Sequence, residues 1–405
     1  MNILLINEAD CCKNIAGGIT RVSQLLSEHF NSLNHSCFLG YFINMEGDPV
    51  FFQNRIQLTI PFDDATFEEF LHVNHINMII STLWWRKHLG ATEHIYRIAS
   101  ALHIKVFYEV HVSPGHELRQ FTTIEQLLFN LHHHKKIKEI GKKWLISKIG
   151  FVLKPFLNKL LGKKYLIPYR HSDRVIVLSQ HYIPKYAQLI GVKDTTKIQA
   201  IENALTYDFF ATENEIQAKK KEVIMVGRLS DYDKRISWAL KIWKLVEQDP
   251  QLTDWTLTLV GEGTDKDYYE YLIQKSHLKR VSLVGRQAPL EYYKRASILL
   301  MTSSAEGWPM VLMEATQMGV PCVAFDSFVS LHEIITDGRN GIIVPNNNIY
   351  LFYKKLADLM LDDAKREQMA LAAVEYSKRF TKEKIMPKWD DLLKEISSES
   401  PTEQN

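Results

Sequence analysis

Cysteine is scarce in this sequence: Cys11, Cys12, Cys37 and Cys322 are the only four among 405 residues, and none shares a metal-binding spacing with another. That speaks against a disulfide framework and for a reducing compartment. Net charge is equally small, +2 from 49 basic and 47 acidic residues, which argues against nucleic acid as a partner. No apolar run reaches the roughly 18 residues that a membrane-crossing helix needs. The start, MNILLINEAD, lacks the basic flank and the apolar length of a secretion signal. A cytoplasmic protein is therefore expected, with peripheral contact to the inner face of the cytoplasmic membrane left open. The composition present, 46% apolar and 24% charged, is that of a globular protein, in a chain longer than one core usually serves. Two domains are expected.

The stretch from Ile298 to Pro345 organises the rest. It reads ILLMTSS, AEGWP, MVLMEATQMG, VPCVAF and DSFVSLHEIITDGRNGIIVP. A short apolar strand ends in small polar residues, Pro309 stands where a helix would begin, Gly319 where it would stop, and a second strand follows. This is a unit of parallel α/β type, whose ligands collect at the carboxyl ends of the strands. Glu306 lies in the turn beside a helix start, whose N–H groups suit an anion or a polarised sugar oxygen. Glu314 sits inside the helix on a face with Met310, Val311, Gln317 and Met318. Either it is an ordinary surface residue, or it is buried and needs donors such as the hydroxyls of a ribose.

Upstream, apolar runs alternate with helical segments, as in repeated βα units. Gly17 and Gly18 precede a helix (ITRVSQLLSEHF) without forming GxGxxG, so tight turn geometry and close approach of a ligand are both open readings. His111 follows the strand Val106–Val110, at a carboxyl end where ligands bind, although 16 histidines make a structural role the commoner fate. Residues 132–166 are dense in Lys and His with aromatic and aliphatic residues between, and only Glu139 is acidic. That segment reads equally as an amphipathic surface for anionic membrane or as a solvated helix pair. Polar residues Thr212–Glu222 read as a linker. Next comes EVIMVGRLSDYDKR, placing Arg228 and Lys234 after a strand end and before a helix, where a fork donor and a point charge could meet a phosphate pair. Gly261 ends a further strand, and Gly285-Arg286 ends another.

Taken together, EGWPMVLMEA, GVPCVAF and HEIITDGRNGIIVP resemble the signature of retaining glycosyltransferases of family 4, bacterial polysaccharide and lipopolysaccharide type. The resemblance is strong from Glu222 to Pro345 and loose before Ser172. It implies an α/β GT-B fold, two Rossmann-like domains with parallel sheets facing across a cleft. Residues 1–205 would form the acceptor domain and 206–384 the nucleotide-sugar donor domain, with a helix at about 385–397 packing back on the first. The activity implied is transfer of a sugar from a nucleoside diphosphate sugar, UDP by family frequency, to a hydroxyl of a glycan or lipid-linked acceptor in cell-surface polysaccharide synthesis, without a metal. Among site residues, Glu306 and the backbone of Gly307, Trp308, Pro309, Met310 and Val311 would hold the donor sugar. Glu314 would hold the ribose, Arg228 and Lys234 the diphosphate, and His111 the sugar. Gly17, Gly18, Gly261, Gly285 and Arg286 would edge the donor site. The chain departs from the pattern at Ala204, at Arg235 and at Ser330, Leu331 and His332. The alternatives are a nucleotide-sugar epimerase of the same fold and a non-catalytic nucleotide-sugar-binding partner.

Overall fold

A computed structural model describes residues 1–11, 17–45, 51–83, 85–116, 129, 156 and 158–398. The chain divides into two units. The first comprises Met1–Pro114, Lys159–Thr206 and Phe380–Asn405, the second Gly115–Asn158 and Tyr207–Arg379.

The first unit is built on a seven-stranded sheet in which every pairing is parallel. Its strands are β1 (Asn2–Ala9), β2 (Ser36–Ile43), β3 (Asn54–Gln57), β4 (Met78–Ser81), β5 (Lys105–Val110), β6 (Arg174–Val177) and β7 (Ile198–Ala200). Their spatial order is β3-β2-β1-β4-β5-β6-β7, so the direction of winding reverses between β1 and β4. The second sheet has six parallel strands: β8 (Lys220–Val226), β9 (Thr256–Val260), β10 (Val281–Leu283), β11 (Ala296–Met301), β12 (Cys322–Asp326) and β13 (Gly341–Pro345). Its order is β10-β9-β8-β11-β12-β13, reversing between β8 and β11. Ligand crevices of such sheets lie at that reversal. Every residue of β11 is buried, as a central parallel strand covered on both faces requires.

Each sheet has its own core. In the first, Leu4, Ile6, Ile79, Ile95 and Val106 pack together. In the second, Trp243, Trp255, Leu257, Ile298, Val323 and Phe352 do so. Phe129 joins the second core, its ring 5.1 Å from that of Tyr268 and 5.2 Å from that of Tyr271. The helix Lys382–Ser398 belongs to the first unit. Trp389 meets the edge of Phe30 at 6.3 Å, Asp390 pairs with His29 at 2.7 Å, and Glu395 pairs with Arg174 at 2.6 Å. Phe380 O accepts from Leu205 N at 2.8 Å, joining the chain's two late passages through this unit.

Four boundaries differ from the sequence reading. Residues 115–158 group with the second unit rather than with residues 1–114, and the second unit ends at Arg379 rather than 384. Thr212–Glu222 is no linker. Thr212 caps the short helix Glu213–Gln217 in a reciprocal arrangement with Glu215, and β8 has begun by Lys220. The polarity of that stretch reflects a capped surface helix, and the nearest crossing between units falls at Thr206–Tyr207. Pro309 is the residue before the helix Met310–Gln317, not its first.

Candidate active site

On the β8 side of the second sheet's winding reversal, the loops after β8, β9 and β10 lie backbone to backbone. Gly227 N donates to Val260 O at 3.0 Å, Leu229 N to Glu262 O at 2.8 Å, and Gly261 N to Gly285 O at 2.8 Å. Gly261 has φ of +148°, and a Cβ there would lie 1.8 Å from the Gly227 carbonyl oxygen. Only glycine permits so close an approach. Arg286 stands on the solvent side of this edge, 3.6 Å from Glu262.

Arg228 follows Gly227 and is largely exposed, with Asp233 Oδ2 accepting from its guanidinium at 2.8 Å. The one-turn helix Asp231–Lys234 comes next. Asp231 anchors it: its buried carboxylate accepts from Ser237 N and Ser237 Oγ, both at 2.7 Å. Burial pushes this carboxyl up from the usual range, against the opposing effect of the Ser237 bonds. Lys234 reaches the turn after β11, where its Nζ lies 2.5 Å from Glu306 Oε1. Two residues that the sequence places 72 positions apart thus form one ion pair, and both are mostly shielded from water.

Arg235 holds this pair in place, a role the sequence did not disclose. Its backbone is left-handed, φ +48°, a conformation that bulky residues rarely adopt. Its guanidinium donates to Thr302 O at 2.6 Å, Ser303 O at 2.7 Å, Asn346 Oδ1 at 3.0 Å and Asn347 Oδ1 at 2.9 Å. The cation also lies 5.0 Å from the ring centre of Trp238 and 5.3 Å from that of Phe325. Burial draws its pKa down to about 10, so it remains a cation at neutral pH. Thr302 Oγ1 donates to Lys234 O at 2.8 Å, and Ser304 N to Asp233 O at 2.8 Å. Lys234 and Glu306 therefore stand on two loops bonded through their backbones. The departure at position 235 was the one signal of this available in the sequence.

Beyond Glu306, Gly307, Trp308, Pro309 and Met310 are buried and Val311 is half-buried. No side chain caps the start of the helix Met310–Gln317. Glu314 is 1% exposed, which excludes the surface reading. Its Oε2 accepts from Tyr293 Oη at 3.0 Å, so part of its need for donors is met from within the protein. Gln317, at the end of the same helix, donates to Tyr207 O at 2.6 Å and Phe209 O at 2.8 Å. On the far side of β12, His332 Nε2 lies 2.9 Å from Asp326 Oδ1, at an open cavity of about 530 Å³ lined also by Thr336 and Asp337. Ser330, Leu331 and His332, where the chain departs from the resembled pattern, open the one-turn helix Leu331–Ile334 here.

In the first unit, Gly17 precedes and Gly18 begins the helix Gly18–Ser32, and Gly17 is extended, φ −162°, needing no special residue. His111 stands one residue beyond β5, its Nε2 3.1 Å from Glu109 Oε2. Glu109 was not singled out in the sequence, where it reads as one more strand residue. Residues 132–166 lie mostly outside the described residues. Within the part described, Phe156 and Leu160 are exposed. No helix among the described residues is long and apolar enough to cross a membrane.

Residues 207–376 match the family of glycosyl transferases group 1. The amylovoran biosynthesis glycosyltransferase AmsD of Erwinia amylovora is 32% identical over 230 residues, 56% of this chain and 63% of that protein. The chain spans less than two thirds of the length of this relative and of the next two curated relatives it matches. Among solved structures, HepE from Anabaena in complex with UDP and glucose superposes with a TM-score of 0.69 at 18% identity, covering 98% of this chain and 100% of that one. A TarM mutant from S. aureus in complex with fondaparinux, alpha-GlcNAc-glycerol and UDP gives 0.69 at 14% identity, covering 96% and 99%. The fold is GT-B, and the match to the group 1 glycosyl transferases falls within the second unit.

Proposed function

We propose that this chain, with its match to the group 1 glycosyl transferases, moves a sugar from a nucleoside diphosphate sugar, most simply a UDP-sugar, to a hydroxyl of a glycan or lipid-linked acceptor in cell-surface polysaccharide synthesis. The carrying observation is the Lys234–Glu306 pair, held at 2.5 Å beside an uncapped helix start at the sheet's winding reversal.

The bond from the sugar's anomeric carbon to the β-phosphate breaks, and the nucleotide leaves with the electron pair. The acceptor oxygen bonds to that carbon on the same face, retaining configuration, while its proton passes to the departing phosphate oxygen. The charge that must be stabilised develops on the phosphate. Arg228, largely exposed beside Asp233, and Lys234, fixed by its loop, supply cations there without a metal. Glu306 takes the sugar hydroxyls, Glu314 the ribose, and His111 a sugar contact. The shared placement of a lysine and a carboxylate lets one pair serve both halves of the donor, the phosphate and the sugar.

A membrane-borne acceptor accords with the exposed Phe156 and Leu160 near Lys159, Lys163 and Lys164. Binding to vesicles containing anionic lipid, lost in high salt, is the expected result.

The deciding experiment is a panel of UDP-, GDP- and ADP-sugars tested for thermal stabilisation. A ligand at about a hundred times its dissociation constant adds ~2.7 kcal/mol. Stabilisation by one nucleotide class, lost in Glu314→Ala, is expected, and stabilisation by none overturns the donor reading.

A further inference from the structure

The winding reversal of the first sheet carries a buried polar row whose last member lacks an ordinary partner. Ile6 pairs with Ser81, and Ser81 with Tyr108, so one step further along the strands Asn7, Thr82 and Glu109 stand side by side on one face. Thr82 Oγ1 donates to Asn7 Oδ1 at 2.8 Å, and Asn7 Nδ2 donates to Ser23 Oγ at 3.0 Å on the helix Gly18–Ser32. Glu109 ends this row. Its side chain is 2% exposed, and that of His111, two residues on and therefore on the same face, is 7% exposed.

Glu109 Oε2 and His111 Nε2 lie 3.1 Å apart, an ion-pair distance without hydrogen-bond alignment, and neither atom has a hydrogen-bond partner among the described residues. A buried carboxylate costs several kcal/mol unless a donor or cation meets it. The imidazole is the group in reach, and it can meet the carboxylate only by carrying its proton on Nε2. A strand does not fix the ring at its end by itself, since the residue there is bounded by a loop. A carboxylate two residues back on the same face does, by holding one ring nitrogen and so directing the other edge of the ring.

We infer that Glu109 is the positioning residue of His111: a small turn of the ring closes the 3.1 Å approach into a bond in which the carboxylate accepts from His111 Nε2–H, fixes the ring orientation, and leaves Nδ1 as the edge offered to a ligand. This deepens the role of His111 proposed above and rests on that reading only for its consequence in catalysis. The bond itself can be tested without any substrate.

The full chain, labelled with ¹⁵N-histidine, is examined for ring N–H correlations in its folded state. A far-downfield, slowly exchanging ring proton is expected, absent in His111→Gln and moved upfield in Glu109→Gln, whose amide is a weaker acceptor. Its absence from the natural protein, or an unchanged signal in Glu109→Gln, overturns the inference. A denaturant cycle guards against a variant that folds poorly. His111→Gln leaves the buried carboxylate unmet, so the double variant Glu109→Gln/His111→Gln should be more stable than His111→Gln alone, whereas additive losses overturn the pairing. With a donor from the nucleotide-sugar panel, Glu109→Gln should lower kcat about tenfold with KM for the donor unchanged, the pattern of a misaimed rather than a missing contact. Failure of the panel would remove the catalytic reading and leave the spectroscopic result standing.

Discussion

The carboxyl ends of the two sheets are built on the same topology and differ in how their charges are met. In the second unit, Arg235 ties the lysine loop to the glutamate loop through backbone carbonyls, and Lys234, Glu306 and Asp231 each have a close polar partner. In the first unit, Glu109 and His111 face one another at 3.1 Å, and neither facing atom has a hydrogen-bond partner among the described residues. A site whose charges are locked before a ligand arrives suits a fixed, highly charged group such as a diphosphate, because reorganisation is avoided when charge develops. A site with one loosely constrained pair suits a neutral, hydroxyl-rich group, for which orientation matters more than charge. The contrast teaches that a common fold sets where ligands bind, while the local pairing sets what kind.

The sharpest way to break this contrast is at the locked end. Lys234→Ala should lower turnover by about 10²–10³, and Arg228→Ala by a similar factor, in steady-state assays with saturating donor. Full turnover in either would remove the phosphate assignment. Arg235→Ala should come next, at about 2–3 kcal/mol of stability in denaturant unfolding, since several buried carbonyl and amide acceptors lose their donor together. Arg235→Lys should recover only part, because an ammonium cannot span acceptors on two loops. Tyr293→Phe removes one donor from the buried Glu314 and should cost about 1–2 kcal/mol by the same measurement. Equal stability would mean that the other contacts of Glu314 suffice.

The smallest effect comes from the opposite end of the same sheet, as a control on electrostatics away from the site. Lys219 donates to Tyr293 O at 2.7 Å, and burial lowers its pKa from 10.5 to about 8. The unfolded chain therefore holds this proton more tightly than the folded one, and between pH 8 and 10.5 this group's contribution favours folding increasingly as pH rises. Solvent still reaches the side chain, so a gain of about 1 kcal/mol is expected. In Lys219→Met the rise should vanish, as read from urea midpoints across that pH range.

What the sequence made legible was local. The strand, turn and helix around Glu306 could be read because their residues are consecutive and the chemistry of a turn, a proline and a glycine is written within a few positions. The pairing of Glu306 with Lys234 could not, since it depends on how β8 and β11 lie side by side. Arg235 drew notice as a departure from a pattern, but its left-handed backbone and its acceptors on two distant loops follow from tertiary placement. Glu109 carried no signal: a glutamate in a strand usually faces solvent, and only a sheet covered on both faces turns it into a buried anion. Phe129 was assigned to the first half by simple order, whereas its ring packs against Tyr268 and Tyr271 of the second unit, contacts between residues more than 130 positions apart.

The return of the helix Lys382–Ser398 to the first unit also sets an order of assembly. Asp390, Trp389 and Glu395 are translated after the whole of the second unit, yet they close surfaces around His29, Phe30 and Arg174. At about 5–20 residues per second, the ribosome leaves the first unit without that helix for many seconds. The unit made first is finished last. Nascent chains stalled at residue 379 should therefore protect residues 207–379 from limited proteolysis while the first unit is cut, and equal protection of both would show that the helix is dispensable for folding.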